Sequence, residues 1–458
     1  MISRAIQNRI SEIIGQEHLV TAQESLADYS SDAAKLEYMP DAAVHPGNTE
    51  EISRILHLAT EECFPVIPRG AGSGMSGGAL AIRGGLVMAM DRFDRILAID
   101  QDNLVAKVES GVITSCLQRA VEEVGLFYPP DPASRDISTI GGNVAECAGG
   151  LRAVKYGVTR DYVLGLTVVL PTGEVIKTGV ETVKGVAGYD LTRLIVGSEG
   201  TLAVITDITL RLVPKPEAQK TMIAFFPDVS SAVHTVSSII RKKMIPAILE
   251  FMDRLCLECV RDEMDLPIPA EAGAMLLIEV DGERVLLERE ARRIRDVCDQ
   301  GGALDFEAAS STQQAERLWE ARRRVSPCLF KLRPHKINED IVVPRSRMAL
   351  LIAFLDEMGR RYGLPIPAFG HAGDGNIHVN VMLDKDNSRE LENARAIVEA
   401  LFRKVIQMGG TITGEHGVGI TKAPYIGMEI PGAGIALMSR IKKAFDPKGI
   451  LNPGKIFG

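Results

Sequence analysis

Three glycine-rich polar segments in the first half of the chain restrict the folds that it can adopt. They read PRGAGSGMSGGA (68–79), YPPDPASRDISTIGGNVAECAGG (128–150) and VGSEGTLAVIT (196–206). The first contains the G-x-G-x-x-G spacing of a dinucleotide-binding loop, but such a loop must open a helix, and the following ALAIRGGLVMAM is typical of a strand. We therefore predict strand-ending loops whose backbone N–H groups bind an anionic ligand, with a flexible surface loop as the alternative. Three such loops in one domain favour a long ligand with several polar groups over a metal ion.

The residues around these loops predict a domain of short strands with one or two helices. Strand-like runs bounded by Gly and Asp continue to a pair of prolines near residue 215, where we place a domain boundary. A helix is predicted over NTEEISRILHLATEECF, with Asn48 as its N-cap and Glu51 in the capping-box position. The amphipathic spacing of the first residues predicts a further helix.

From about residue 220 to 405 the pattern changes to strands that alternate with longer helices. This pattern indicates an α+β domain with helices on one face of an antiparallel sheet. The predicted organisation is an N-terminal helical segment (1–35), a loop-rich domain (36–215), a second domain (216–405) and a C-terminal segment (406–458).

The bulk composition excludes several functional classes. The net charge of −8 lacks the general basic footprint of a nucleic-acid-binding protein. No apolar run reaches the roughly 18 residues of a membrane span, and the N-terminus lacks the apolar core of a secretory signal. The seven cysteines are odd in number and dispersed, which argues against a disulfide framework and favours a reducing cytoplasm. We interpret the C-x-x-C pair, Cys256 and Cys259, as core residues on a helix face.

Two histidines lie in the short segment FGHAGDGNIHVNVM (369–382), although the chain has only eight. The segment predicts a strand, a tight turn at the Asp-Gly dipeptide and a second strand. Such a turn folds His371 back towards His378, while Asp374 and Asn376 either hold the turn or support the site.

A second glycine-flanked segment, TGEHGVG, contributes Glu415 and His416. Two imidazoles and one carboxylate form a partial ligand set for a divalent ion, and this set leaves positions open for a substrate. The alternative is that His371 and His378 are hydrogen-bonded core residues.

Several of these motifs together resemble a flavoprotein superfamily. PRGAGSGMSGGA, PPDPAS, STIGGNVAECAGG, KYGVTRDYVLG and GSEGTLAVIT are similar to the FAD-binding loops of the vanillyl-alcohol oxidase and p-cresol methylhydroxylase superfamily. HAGDGNIH, TGEHGVG and FDPKGILNPGKIF are similar to the branch that includes D-lactate dehydrogenases, the glycolate oxidase large subunit and D-2-hydroxyglutarate dehydrogenase. The resemblance covers nearly the whole chain in the same order.

The resemblance implies an α+β fold with a two-part FAD-binding domain of the p-cresol methylhydroxylase type, an inserted α+β cap domain and a C-terminal segment that returns to the FAD domain. Some relatives attach the flavin to a histidine of the first loop; this loop has Ser73 and neither His nor Cys, so we expect non-covalent FAD. The implied FAD contacts are Arg69, Gly70, Ala71, Gly72, Ser73, Gly74, Ser76, Gly77, Pro130, Asp131, Ser138, Thr139, Gly142, Asn143, Tyr156, Gly200, Ile205 and Asn452.

The resemblance also implies one divalent metal, zinc or manganese, on His371, His378 and Glu415. It assigns His416 as the acid/base that takes the substrate hydroxyl proton. The hydride then goes to the flavin.

The implied substrate-binding residues are Arg322, Ser326 and Asn338. Of the three consecutive arginines 322–324, helical geometry directs only one inward, and a solvated helix face remains the alternative even for Arg322. Some relatives that bind a longer dicarboxylate use a lysine at this point of the strand. This chain has Asn338 at the matching position, and its own Lys336 lies two residues earlier. This departure favours a short substrate.

The expected function is therefore oxidation of a short D-2-hydroxy acid, D-lactate or glycolate, to the 2-oxo acid. The chain has no four-cysteine iron–sulfur motif, so its electrons would pass to an electron-transfer flavoprotein, a quinone or a separate iron–sulfur subunit. Alternatives are D-2-hydroxyglutarate oxidation, a flavin-carrying subunit of a multi-subunit glycolate oxidase, and the alkyl-transfer branch of the superfamily. We expect no nucleic-acid partner and a location in the cytoplasm or at the inner face of the membrane; a homodimer stays open.

Overall fold

The pair of prolines near residue 215 marks a change from one structural unit to another. The structure is a computed structural model that describes residues 2–263 and 266–457. Unit 1 comprises residues 2–149, 158–215 and 415–457, and unit 2 comprises Gly150–Gly157 and Pro216–Gly414.

Short strands predominate in unit 1 and longer ones in unit 2. The strands of unit 1 are β1 (Leu19–Val20), β2 (Ala42–Val44), β3 (Val66–Arg69), β4 (Leu86–Ala89), β5 (Ile96–Asp100), β6 (Val105–Glu109), β7 (Leu126–Phe127), β8 (Val163–Val169), β9 (Val175–Gly179), β10 (Val204–Arg211) and β11 (Val213–Pro214). The strands of unit 2 are β12 (Ala218–Phe226), β13 (Ile248–Asp253), β14 (Ala274–Gly282), β15 (Asp305–Ala308), β16 (His335–Val342), β17 (Ala368–His371) and β18 (Asn376–Leu383).

The helices are also given in chain order. They are α1 (Arg4–Ile14), α2 (Gln23–Leu26), α3 (Thr49–Glu62), α4 (Thr114–Glu123), α5 (Ile140–Glu146), α6 (Ala153–Tyr156), α7 (Leu191–Ile195), α8 (Val229–Arg241), α9 (Arg254–Val260), α10 (Arg284–Gln300), α11 (Thr312–Cys328), α12 (Met348–Tyr362), α13 (Ser388–Gln407), α14 (Ile426–Glu429) and α15 (Gly432–Phe445). None of the helices in the described ranges has the length and apolar character needed to cross a membrane.

Unit 1 contains two principal sheets. One has the order β1-β2-β4-β3, in which β2 and β3 run parallel to β4. The other has the order β5-β6-β10-β8-β9 and is antiparallel throughout. The first glycine-rich loop joins β3 to β4, and no helix begins within residues 70–85, as predicted.

The predicted N-cap of α3 is confirmed, with one change in the capping box. The Asn48 side chain accepts a hydrogen bond from the Glu51 N–H at 3.0 Å. The Glu51 carboxylate, however, accepts from the backbone N–H of Gly47 at 2.7 Å and from the Asn48 side chain. This arrangement still satisfies backbone donors at the start of the helix.

Unit 2 is built on an antiparallel sheet with the order β15-β12-β14-β13-β17-β18-β16. Helices α9 and α11 pack with Ile223, Phe225 and Leu277 in one hydrophobic cluster, which includes Cys256 and Cys259 as predicted. The alternate residues of the strands, such as Met222 and Leu276, are fully buried as well. Arg295 of α10 lies over Phe306, which pairs with Ala224 on the same face as Met222. The expectation of helices on one face was therefore wrong, because α9 and α11 cover one face and α10 lies against the other.

The division into units differs in detail from the predicted segments. Helix α1 belongs to unit 1, where Ile10 shares a core cluster with Leu56 and other residues. Residues 406–414 stay with unit 2, since Thr411 and Val342 exchange backbone hydrogen bonds. The segment Gly150–Gly157 also belongs to unit 2.

The C-terminal residues complete the core of unit 1 beside β3. The Val66 N–H donates to the Ile450 carbonyl at 2.9 Å, and the Asn452 N–H donates to the Val66 carbonyl at 2.8 Å. The Leu451 side chain is fully buried in the same cluster as the helices α1 and α3.

We expect Leu451→Ala to destabilise the protein by about 2–5 kcal/mol, because the truncation leaves a cavity in a packed core. Urea-induced unfolding followed by circular dichroism measures this change. Leu437→Ala is the matched control, since Leu437 lies on α15 and is 51% exposed. Equal stability of the two variants would show that the C-terminal segment does not support the core.

Candidate active site

A deep cleft in unit 1 brings the three glycine-rich loops together. It encloses about 1310 Å³ of empty space, including its open mouth. The predicted ligand contacts that line its walls are Arg69, Gly70, Ala71, Gly72, Ser73, Gly74, Ser138, Thr139, Gly142, Asn143, Gly200 and Ile205. The convergence of loops that are far apart in sequence agrees with a long ligand.

The remaining predicted contacts lie outside these walls in the described structure: Ser76, Gly77, Pro130, Asp131, Tyr156 and Asn452. Ser76 and Pro130 hold neighbouring segments through their carbonyls, which accept from Ile420 and Gln118. Tyr156 belongs to unit 2, where its hydroxyl donates to Asp281 at 2.7 Å. Ser76 and Pro130 thus support segments next to the cleft.

Glycines allow the loops to approach closely. A Cβ atom at Gly70 would collide with the Thr139 hydroxyl, and one at Gly141 would lie 2.5 Å from the Ser110 Cβ. The Thr139 hydroxyl caps α5 by accepting from the Gly142 N–H at 3.1 Å. The second segment therefore contains a short helix that the sequence analysis took for loop.

Asn452 ties the first and third loops together. Its side-chain amide donates to the carbonyls of Gly78 at 2.9 Å and Glu199 at 2.8 Å. The oxygen of the same side-chain amide, Oδ1, is buried and has no hydrogen-bond partner in the described structure. Asn452 thus holds the first and third loops together without lining the cleft itself.

Two carboxyl groups that the sequence analysis did not single out, the half-buried Glu146 and the buried Glu199, lie in the wall of the cleft. Glu199 accepts hydrogen bonds from the N–H groups of Val418 at 2.8 Å and Gly419 at 2.6 Å. Glu146 has one oxygen without a partner in the described structure. Burial, and then the charge of Glu199, raises the pKa of Glu146 well above its ordinary value. Glu199 is therefore the member of the pair that stays ionised most readily.

Glu415 and His416 also line the cleft of unit 1. A Cβ atom at Gly149 would lie 2.7 Å from a carboxylate oxygen of Glu415. The absence of a side chain at Gly149 thus makes room for this carboxylate. The structure places the predicted acid/base and the predicted carboxylate ligand in the wall formed by the second loop.

In unit 2 the histidine segment forms the predicted hairpin of β17 and β18. The His371 and His378 rings meet edge to face with centroids 5.3 Å apart, and both side chains are buried. Asp374 holds the turn by accepting from the Asn376 N–H at 3.1 Å. Gly375 adopts a positive φ of 88°, which favours glycine.

Each of these histidines lies opposite an acid of the neighbouring strand. Glu250 of β13 pairs with His371, and Asp340 of β16 pairs with His378. The Glu250 carboxylate lies 2.5 Å from His371 Nδ1, whereas the nearest Asp340 oxygen lies 3.9 Å from His378 Nδ1. Asp340 accepts hydrogen bonds from the Asn376 side chain at 2.6 Å and the Gly414 N–H at 2.8 Å.

The sequence analysis missed both acids. The available signal is an acid next to apolar strand residues, Glu250 within ILEFMD and Asp340 before IVV. Burial alone would raise the pKa of Glu250, but the charges and hydrogen bonds of His371 and Arg322 bring it to about 2.

Helix α11 directs one arginine of its triplet inward, as predicted. The Arg322 Nε donates to Glu250 at 2.6 Å, and its guanidinium lies over the Phe369 ring, 4.6 Å from the centroid. Arg323 and Arg324 are about half exposed and pair with Glu316 and Glu320. Arg322 is therefore the cation of the triplet that lies beside the histidine pair.

The other predicted substrate contacts are engaged within unit 2. The Asn338 amide donates to the Asn380 side chain at 2.9 Å. The Lys336 ammonium donates to the Ser326 hydroxyl at 2.7 Å.

Comparison with known proteins identifies related families and folds. The family model described as "FAD linked oxidases, C-terminal domain" matches residues 215–456, and the model described as "FAD binding domain" matches residues 40–179. The chain is 46% identical to "Glycolate oxidase subunit GlcD" of Bacillus subtilis, over 100% of this chain and 97% of that protein. It is 34% identical to "D-lactate dehydrogenase" of Anaerostipes hadrus, over 97% of this chain and 95% of that protein.

The solved structures support the predicted fold. p-Cresol methylhydroxylase with bound substrate matches with a TM-score of 0.80 at 18% identity, over 98% of this chain and 96% of that one. Alkyldihydroxyacetonephosphate synthase matches with a TM-score of 0.76 at 19% identity, over 98% of this chain and 86% of that one. These likenesses concern the fold alone, and they confirm it.

We expect Glu146→Gln to stabilise the ligand-free protein more at pH 8 than at pH 5. The pKa of Glu146 is raised above its ordinary 4.5, so the folded wild type retains a proton that the unfolded chain releases, and its stability falls as the pH rises through that window. The glutamine lacks this dependence. Thermal unfolding at both pH values measures the effect, at about 2–4 °C per kcal/mol for domains of 150–250 residues.

The exposed Glu123 supplies the matched control, Glu123→Gln, which should change neither melting temperature. A shift for Glu146→Gln that is the same at both pH values would show that Glu146 is ionised in the folded protein.

Proposed function

Because the chain belongs to the family of FAD-linked oxidases, we propose that it oxidises a short D-2-hydroxy acid, D-lactate or glycolate, to the 2-oxo acid. The proposal depends above all on one observation: in unit 2 a largely buried arginine, Arg322, and the buried His371 share one carboxylate, Glu250, and the buried His378 packs edge to face against His371. The arginine suits a substrate carboxylate, and the histidines suit a metal ion. The names of the relatives, a glycolate oxidase subunit and a D-lactate dehydrogenase, agree with this substrate class.

The cleft of unit 1 fits FAD. Its loops offer backbone N–H groups to phosphates, and the Ser110 hydroxyl and one Glu146 oxygen are buried there without partners in the described structure. The cofactor would be held without a covalent link, since the first loop contains neither His nor Cys. Bound FAD supplies an acceptor for the hydride.

The histidine pair fits a divalent metal ion, zinc or manganese. The Glu250 carboxylate accepts from His371 Nδ1, which leaves Nε2 as the ligand atom of that ring. His378 is the second ligand, and the resemblance supplies Glu415 as the third. The ion would supply a Lewis acid to the reaction.

Arg322 binds the substrate carboxylate in this proposal. Its Nε is engaged by Glu250 and its plane is held over Phe369, which directs the two terminal nitrogens to another acceptor. A bidentate contact of this kind orients a planar carboxylate. The neutral Asn338 donates to Asn380 at the position where some relatives have a lysine, and the Lys336 ammonium is turned towards Ser326. The position of Asn338 therefore carries no charge for a second, distal carboxylate. A short monocarboxylate is therefore favoured over D-2-hydroxyglutarate.

His416 accepts the proton of the substrate hydroxyl. Positioned general bases of this kind contribute roughly 10²–10⁴-fold to a rate. The electrons then leave to an acceptor other than oxygen: an electron-transfer flavoprotein, a quinone or an iron–sulfur subunit. The relative named as a subunit of glycolate oxidase supports the second candidate, a flavin-carrying subunit of a larger complex. The buried arginine and histidines favour an active site in this chain.

We expect anaerobic D-lactate or glycolate to bleach the flavin absorbance of the purified protein, with L-lactate as the negative control. Exhaustive chelation, or His378→Ala, should abolish this bleaching while the FAD content stays near one per chain, because the FAD cleft belongs to unit 1 and the histidine to unit 2. Stopped-flow absorbance measures the reduction of the flavin, and elemental analysis measures the metal content of each sample. Full reduction by a protein that is free of metal would refute the metal assignment.

We expect Arg322→Met to raise the apparent KM for the hydroxy acid at least about 30-fold, because loss of a buried charged partner typically costs about 2–5 kcal/mol of binding. Arg323→Met is the matched control, since this neighbour is exposed and pairs with Glu316. Steady-state kinetics with an artificial dye measure both variants. The opposite pattern, with a damaged Arg323 variant and an unaffected Arg322 variant, would mean that the substrate binds elsewhere.

A further inference from the structure

We propose that Glu250 is a positioning residue that couples substrate binding at Arg322 to metal binding at His371. This inference rests on the proposed function, and it adds a residue to which neither the motifs nor the relatives assign a role. Its consequence is that metal and substrate bind cooperatively.

The geometry of one buried carboxylate supports this proposal. One Glu250 oxygen accepts from Arg322 Nε at 2.6 Å, and the other lies 2.5 Å from His371 Nδ1. The Glu250 side chain is completely inaccessible to solvent, and the side chain of Arg322 is 15% exposed. With so little water nearby, the charge of Glu250 is balanced mainly by these two neighbours.

The strand register determines the contact between Glu250 and His371. Glu250 of β13 lies directly opposite His371 of β17, and Arg322 approaches the same carboxylate from α11. Three separate elements thus converge on two oxygen atoms. A carboxylate that pairs with an arginine is ionised and accepts from the imidazole, so the proton of His371 resides on Nδ1 and Nε2 is the ring atom that would bind a metal.

The two partners compete for one negative charge. A substrate carboxylate on the terminal nitrogens of Arg322 weakens the hold of the arginine on Glu250. More of the Glu250 charge is then available to His371, and the imidazole becomes a stronger metal ligand. Because coupling between two binding sites is reciprocal, a bound metal strengthens substrate binding by the same factor.

A purely structural ion pair is the competing explanation. A structural role affects the melting temperature and leaves metal affinity unchanged. A positioning role changes the affinity for metal and removes its dependence on the substrate. Loss of a partner of this kind typically weakens metal binding about 10–100-fold.

The test measures Mn²⁺ binding to the FAD-loaded protein by electron paramagnetic resonance, with and without saturating pyruvate. Pyruvate is a 2-oxo acid that oxidised flavin does not consume. In the wild type we expect pyruvate to tighten Mn²⁺ binding at least about 5-fold, the lower end of ordinary coupling factors. In Glu250→Gln, Mn²⁺ should bind about 10–100-fold more weakly, and pyruvate should have no effect on its affinity.

Two further variants complete the test. Arg322→Met should bind Mn²⁺ at least about 5-fold more tightly than the wild type without pyruvate, because Glu250 then acts on His371 alone, and it should lose the effect of pyruvate. It therefore tests the coupling even if Glu250→Gln fails to fold. Glu316→Gln is the control and should behave as the wild type, because Glu316 is an exposed acid that pairs with the neighbouring Arg323. FAD content and melting temperature are recorded for each variant.

Unchanged Mn²⁺ affinity and unchanged coupling in Glu250→Gln would overturn the inference. If D-lactate or glycolate still reduces the flavin of the wild type, the proposed function survives that result. A wild type that binds no Mn²⁺ would overturn the metal assignment together with the coupling. A wild type that binds Mn²⁺ and pyruvate cooperatively but is reduced by no hydroxy acid would overturn the proposed substrate alone.

Discussion

The strand register that places Glu250 opposite His371 and Asp340 opposite His378 is the constraint on which the site in unit 2 depends. The hairpin of β17 and β18 lies between β13 and β16, and each flanking strand contributes one acid. A slip of one residue would turn every side chain of a strand to the other face. Gly370 secures the pairing, because a Cβ atom there would collide with the Asn376 carbonyl. The acid that lies opposite each of the two histidines is thus set by backbone pairing.

The constraint in unit 1 is a different one, because backbone segments that are distant in the sequence must meet at one cleft. Glycines at 70, 141 and 149 leave space for Thr139, Ser110 and Glu415, respectively. The buried acid Glu199 holds the segment with which the chain returns to unit 1, because it accepts from the N–H groups of Val418 and Gly419. A side chain at any of these glycines would separate the segments that form the wall. The glycine clusters are therefore a requirement of close packing as well as of ligand binding.

The parts that could be predicted from the sequence are those determined by neighbouring residues. The β17–β18 turn follows from an Asp-Gly dipeptide and the start of α3 from Asn48. Helical geometry predicts that one arginine of the triplet points inward, and the resemblance identifies it as Arg322. Glu250 and Asp340 could not be predicted, because their partners depend on the order of strands in the sheet. The position of His371 opposite Glu250 joins residues 121 apart in the chain. The helices on both faces of that sheet were missed for the same reason, because the sequence of a strand does not indicate which strands and helices will pack against it.

The chain leaves unit 1 and returns to it before the end, and this has a consequence for synthesis on the ribosome. Most of unit 2 is one continuous stretch, Pro216–Gly414, and can fold as soon as it emerges. Unit 1 cannot finish its core until residues 450–452, which follow all of unit 2 in the chain, arrive beside β3. The cofactor cleft, with Glu415 and His416 in its wall, is therefore completed only after unit 2 has been synthesised. Premature termination would yield a folded second unit beside an open first one, a product for proteolytic removal.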